Sequence, residues 1–140
     1  MGVINGSDYM NRLNQLGSDI WLDGEKIEGK LSECPAFKGL LKSKADLYDL
    51  QCRTDLIDEM TFLTPTNERI GLSYLQPKTR NDLVKRRNMF ERWAKTTGGM
   101  MGRSPDYMNT VLMSFAASSS ILEGRENCFP ENIQALYENA

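Results

Sequence analysis

Gly98-Gly99-Met100-Met101-Gly102-Arg103-Ser104-Pro105-Asp106-Tyr107-Met108-Asn109 is a glycine-loosened loop running into a strongly marked helix start. Ser104 is a good N-cap. Pro105 suits the first helical position, because its missing N–H would be unpaired there anyway. Asp106 puts negative charge in the first turn, where the helix dipole favours it. Arg103 stands just outside the cap and Tyr107 follows four residues later, a spacing that places two residues on one side of a helix. A guanidinium, a phenol hydroxyl and unpaired backbone N–H groups would then gather in one place, useful to a small anion or to a phenol turning into phenolate. The ordinary alternative is a solvated Arg103 and a half-buried Tyr107 that packs, and spacing alone leaves both open.

Working outward, the helix begun at Ser104 carries Met108, Val111, Leu112, Phe115, Ala116 and Ser119 at helical spacing, so that face is expected in a core. The small residues from Ala116 to Ser120 would let another helix approach, and Gly124 ends the segment. Upstream, Thr79 or Asn81 opens a long helix reaching about Thr96, which Gly98 and Gly99 terminate. Its expected inner face is Leu83, Phe90, Trp93 and Ala94. Lys85, Arg86, Arg87, Arg92 and Lys95 form a basic remainder read as a solvated face. Downstream, Phe129-Pro130 starts a last helix through Ile133, Leu136 and Tyr137, with no stop signal before Ala140.

The first half is read the same way. Ser7 caps a helix bearing Tyr9, Met10, Leu13 and Leu16, and Gly17 stops it. Asp23-Gly24 between short apolar arms signals a type I′ hairpin, with Ile20 facing Ile27 and Trp21 facing Lys26. Lys26 would lie across the indole. The hairpin is a connector or a lip over a pocket, the connector being preferred. Pro35 turns the chain into a helix through Phe37, Leu40, Leu41, Ala45, Leu47, Tyr48 and Leu50, with a break near Ser43. Thr54 caps a short helix to Met60, with Leu56, Ile57 and Met60 inward. Met60 to Thr64 and Ile70 to Tyr74 are extended, with a turn over Pro65 to Asn67. The fold class is mainly α: a helical domain with one β-hairpin and short extended segments.

The chain has 140 residues, 40% hydrophobic and 26% charged, enough for one domain with a modest core. Its 17 basic and 19 acidic residues nearly cancel, which gives no support to nucleic-acid or anionic-membrane binding. No apolar run approaches bilayer-spanning length, and Met1 to Gly6 lacks the features of a signal peptide. Cys34, Cys52 and Cys128 are odd in number and far apart, as expected of reduced, mostly buried cysteines in a cytoplasmic protein. Histidine is absent, which excludes Ser-His and Cys-His nucleophile systems within the chain.

Gly102-Arg103-Ser104-Pro105-Asp106-Tyr107 resembles the signature of the two-component, flavin-dependent aromatic hydroxylases typified by the oxygenase component of 4-hydroxyphenylacetate 3-monooxygenase. The resemblance extends through Ile20-Trp21-Leu22-Asp23-Gly24-Glu25-Lys26-Ile27, Pro35-Ala36-Phe37, Leu47-Tyr48-Asp49-Leu50, Asp82-Leu83, Arg86-Arg87 and Trp93-Ala94. It implies that residues 1–140 are the helical N-terminal domain of a longer, acyl-CoA-dehydrogenase-like flavoprotein, whose β-barrel and C-terminal bundle lie elsewhere. It implies reduced FAD supplied by a separate reductase and bound mainly outside this chain. It implies ortho-hydroxylation of a phenol with O2, and assembly as a homo-oligomer at full length. Arg103 and Tyr107 match the phenol-binding pair, with Ser104 beside them on the substrate side; a family histidine would lie beyond Ala140. In a related dehydratase branch, cysteines that ligate an iron–sulfur cluster stand where this chain has Gly98 and Gly102, so the resemblance implies no metal. The 140 residues alone are expected to be inactive. The competing reading is a stand-alone helical interaction module without chemistry.

Overall fold

The computed structural model describes residues 2–99 and 105–139, most of them helical. Two compact units are present, Ile4–Ile57 and a larger one of Met1–Val3 with Asp58–Ala140.

In the smaller unit, helix α1 (Gly6–Gln15) is capped by Asn5, whose side chain accepts from the Asp8 amide at 2.8 Å. Ser7, the expected cap, lies inside the first turn, because Asn5 already has the extended backbone that a cap requires. Helix α2 (Pro35–Cys52) supplies a second cap: Asp49 Oδ1 accepts from the Gly6 amide at 2.8 Å. Tyr9 stacks on Tyr48 with ring centroids 4.7 Å apart, and burial pushes both phenols above their ordinary pKa. Asn14 holds the turn before α2, donating to Ser32 Oγ and accepting from its amide. No break occurs at Ser43. Its hydroxyl donates to Gly39 O at 3.1 Å, satisfying the polar group within the helix.

Between α1 and α2, β1 (Trp21–Leu22) and β2 (Glu25–Lys26) pair with Trp21 opposite Lys26, as the sequence predicts. Asp23 and Gly24 both have positive φ, the requirement that Asp-Gly meets. Lys26 does not lie across the indole. Its ammonium sits 2.6 Å from Asp19 Oδ1, where a full negative charge outcompetes a ring face. The cysteines are free but less buried than expected, Cys52 being exposed at the end of α2 and Cys34 and Cys128 half-buried.

Helix α3 (Ile57–Met60) is one turn, where a helix from Thr54 was expected; the Leu56 and Ile57 amides donate to Arg53 O in the turn that leads into it. In the larger unit, β3 (Thr61–Leu63) and β4 (Arg69–Gly71) form a second hairpin, where extended pieces joined by a turn were expected. Asn67 takes the positive φ of its turn, and Arg69 bridges Thr61 Oγ1 and Asp58. The strand stops at Gly71, and Leu72–Tyr74 winds into a 3₁₀ turn.

Helix α4 (Arg80–Thr96) opens on a capping box. Thr79 Oγ1 accepts from the Asp82 amide, and Asp82 Oδ2 accepts from the Thr79 and Lys78 amides. Thr79→Ala is expected to cost about 1 kcal/mol, read as a shifted urea midpoint. The Thr79 hydroxyl, with those amides, also holds the Asp82 carboxyl below its ordinary pKa. Its contribution is therefore present above the unfolded carboxylate pKa and lost as pH falls through the folded value, and the effect of Thr79→Ala should shrink in acid.

The buried face of α4 is Arg86, Met89 and Trp93. Leu83 and Ala94, expected inward, are exposed, and Phe90 is half-buried. Helix α5 (Pro105–Ala117) likewise buries Met113 and Ala116, while Met108 and Phe115 face out. The turn Ser119–Leu122 follows, then α6 (Pro130–Asn139). Gln134 of α6 donates to Ala116 O and Ser119 Oγ, and Tyr137 donates to Tyr74 O at 2.7 Å. Leu136 is exposed.

Candidate functional site

The rotated faces of α4 and α5 leave a cleft of about 320 Å³ between them, lined by Phe90, Tyr107, Thr110, Val111, Ser114 and Phe115. Tyr107, Val111 and Ser114 recur at i, i+4 and i+7, one stripe of α5. Phe90 closes the opposite wall, and its ring also meets Trp93, centroids 6.3 Å apart. The volume is at the small end of ligand sites, enough for one substituted aromatic ring. Tyr107 is 55% exposed, so its ring is available at this surface instead of being consumed by packing.

One wall is fixed by Arg86, only 6% exposed. Its Nη1 donates to Ser73 O at 2.7 Å, Leu75 O at 3.1 Å and Leu72 O at 3.2 Å. Its Nη2 donates to Thr110 Oγ1 at 2.8 Å, and the guanidinium lies 5.4 Å from the Phe90 ring centroid. Arg86 thus touches two of the six lining residues. Asn109 adds a parallel tie, donating to Ser73 Oγ at 2.9 Å. Burial pushes the Tyr137 phenol up in pKa, and the Arg86 guanidinium draws it partly back.

Of the residues that the sequence marks as a site, the structure places Tyr107 on the cleft. Arg103 and Ser104, and the side chains of Pro105 and Asp106, lie outside the described residues. Phe90, Val111 and Phe115 line the cleft instead of filling a core. Arg86 is a buried anchor instead of part of a solvated basic face. Arg92, from the same face, forms a two-pronged pair with Glu59. The signal that separates Arg86 from its neighbours is its spacing with Met89 and Trp93, three buried positions in helical register.

A second cleft, of about 370 Å³, includes Asp58, Arg69, Asp82 and Lys85. Asp58 and Arg69 pair with each other, and Asp82 is spent in the capping box. Among the described residues, no group of three His, Cys, Asp or Glu side chains is placed to hold a metal ion, and no helix is long and apolar enough to cross a membrane.

Residues 5–140 match the family profile described as 4-hydroxyphenylacetate 3-hydroxylase N terminal. A probable 4-hydroxyphenylacetate 3-monooxygenase of Bacillus subtilis is 62% identical over 141 residues, covering 100% of this chain and 29% of that protein. The 4-hydroxyphenylacetate 3-monooxygenase oxygenase component of Thermus thermophilus is 37% identical, covering 94% of this chain and 26% of its own length. The chain thus spans less than a third of these relatives. Among solved structures, the oxygenase component (HpaB) of 4-hydroxyphenylacetate 3-monooxygenase, complexed with FAD and 4-hydroxyphenylacetate, superposes with a TM-score of 0.88 at 36% identity, covering 97% of this chain and 27% of that one.

Proposed function

The chain belongs to the 4-hydroxyphenylacetate 3-hydroxylase family, and on that premise we propose that it is the substrate-side N-terminal domain of a longer two-component aromatic hydroxylase. The reaction is ortho-hydroxylation of a 4-hydroxyphenylacetate-like phenol to a catechol. The observation that carries this reading is the position of Tyr107 on an aromatic-walled cleft sized for one ring.

Within this chain the chemistry is charge control. A free phenol ionises near pH ~10, and an adjacent permanent cation favours the phenolate, which is the electron-rich form that an electrophilic oxygen attacks. Arg103 supplies that cation, and the Tyr107 hydroxyl donates to the same oxygen. Ser104, next to Arg103 in the sequence, belongs to the same substrate-side stretch. Phe90, Val111 and Phe115 give the ring an apolar wall and keep water from its face. FAD, reduced by a separate reductase, supplies the oxygen transfer from O2. The flavin is assigned, on the family likeness, to the barrel and helical bundle of an acyl-CoA-dehydrogenase-like whole, which also joins copies into an oligomer. Exposed Met108, Ile121 and Leu136 suit a domain covered by further chain. The 140 residues alone are accordingly inactive, and the whole works in the cytoplasm.

The test is catechol formation by the full-length protein supplied with reduced FAD. Tyr107→Phe removes one charge-assisted donor and is expected to lower kcat/KM for 4-hydroxyphenylacetate about tenfold with the fold intact. Parental turnover in that variant overturns the site.

A further inference from the structure

We propose that Arg86 and the Leu72–Tyr74 turn it grips are a positioning device that sets where the Tyr107 hydroxyl meets the phenol oxygen. The proposal rests on the reading of Tyr107 as a phenol-binding residue. Arg86 is the joint of three segments: its own helix α4, the carbonyls of Leu72, Ser73 and Leu75, and Thr110 on α5. Thr110 stands three residues after Tyr107, on the adjacent turn of the same helix, so fixing one fixes the rotation and height of the other. Asn109, bonded to Ser73 Oγ, pins the same turn from its other side. Ser73 is almost wholly buried, so the reference to which α5 is tied is itself held by packing. The far side of the turn is held by Tyr137, which donates to Tyr74 O.

The chemistry makes this placement matter. The Tyr107 hydroxyl contributes only where it reaches the phenol oxygen at hydrogen-bond distance, and such a bond weakens steeply once misaligned. Polar ties suit this task better than apolar packing, because they are directional. The α5 residues that face the cleft, Tyr107, Val111, Ser114 and Phe115, have nothing opposite but Phe90 among the lining residues. Phe90 is in turn held under the Arg86 guanidinium. One side chain therefore orients both walls.

The experiment is a double-mutant cycle in the full-length protein supplied with reduced FAD, reading kcat/KM and the dissociation constant for 4-hydroxyphenylacetate. Thr110→Val keeps the shape of the side chain and removes the oxygen that Arg86 holds. It is expected to lower kcat/KM about fivefold, and Thr110→Ser, which keeps that oxygen, to recover most of the loss. In a Tyr107→Phe background the same Thr110→Val change is expected to cost less than about twofold, because the hydroxyl it positions is gone. Should Thr110→Val not fold, Asn109→Ala enters the same cycle with the same expectation. Losses that multiply, with Tyr107→Phe impaired by itself, overturn the positioning role and leave the site standing. A Tyr107→Phe variant that matches the parent overturns the site, and the positioning role with it.

Discussion

Arg86→Met is expected to destabilise the larger unit by about 3 kcal/mol, a loss of roughly 10 °C in Tm for a chain of this size. The methionine fills similar space and is apolar, so lost packing is not the cause. The cause is what stays behind. Ser73 O, Leu75 O and Thr110 Oγ1 are gathered around a donor that has gone, and a buried acceptor without a partner costs about 1–3 kcal/mol. Leu72 O suffers less, because it also accepts from the Leu75 amide. Swapping a buried ion for a hydrophobe is often neutral when its partners are replaced as well; here all but Thr110 Oγ1 are backbone carbonyls and cannot be. Arg86→Lys, which keeps a charge but has no second arm for Thr110, should fall between Met and the parent. Urea unfolding of all three proteins checks the order. A methionine variant as stable as the parent would show that water or neighbouring groups replace the guanidinium at no cost.

Gly6→Ala is expected to destabilise by about 3 kcal/mol or more, and the sign is what makes it informative. On an unobstructed helix this change helps by about 1 kcal/mol, since glycine is the poorer helix former. At this position a Cβ would come 2.5 Å from Ala45 O and 2.9 Å from Asp49 Oδ2. The first of these is backbone inside α2, which cannot yield without moving the helix. Separating α1 from α2 would also stretch the 2.8 Å bond from the Gly6 amide to Asp49, a charge-assisted bond. The glycine is therefore required by close approach and not by its φ. Far-ultraviolet circular dichroism during thermal unfolding would register the change. An alanine variant that melts above the parent would mean that α1 is not held against α2 as described.

Much of the chain's local structure is legible without a fold. Asp23-Gly24, Thr79 with Asp82, Pro35 and Pro105 each announce an element through their own backbone chemistry, and each element begins where they say. Local signals fail where two competing residues satisfy the same rule. Ser7 and Asn5 are both good caps, and only the path of the chain before α1 selects Asn5. Thr54 is a reasonable cap too, but the first amides of that turn donate to Arg53 O, one residue earlier, and the helix itself spans only Ile57–Met60.

The candidate site divides along the same line. Tyr107 is singled out by a motif, and the structure puts it on the cleft wall, in the first turn of the helix that starts at Pro105. Phe90 and Phe115 are misread as core because hydrophobic spacing says which residues share a face, not whether another element covers it. Arg86 is misread as solvated because a charge is assigned to water unless a partner is known, and its partners are backbone carbonyls 11 to 14 residues away in sequence.

By itself, the sequence determined the helical class, the hairpin register and the family, all of which rest on interactions within a few residues or on contiguous motifs. The tertiary structure alone decided which face of α4 and α5 is inward, the anchoring of the 72–75 carbonyls by Arg86, and the closeness of α1 to α2 at Gly6. Each of those depends on groups distant in the chain meeting at bonding distance, and burial there turns a charge or a missing Cβ from a local preference into a requirement.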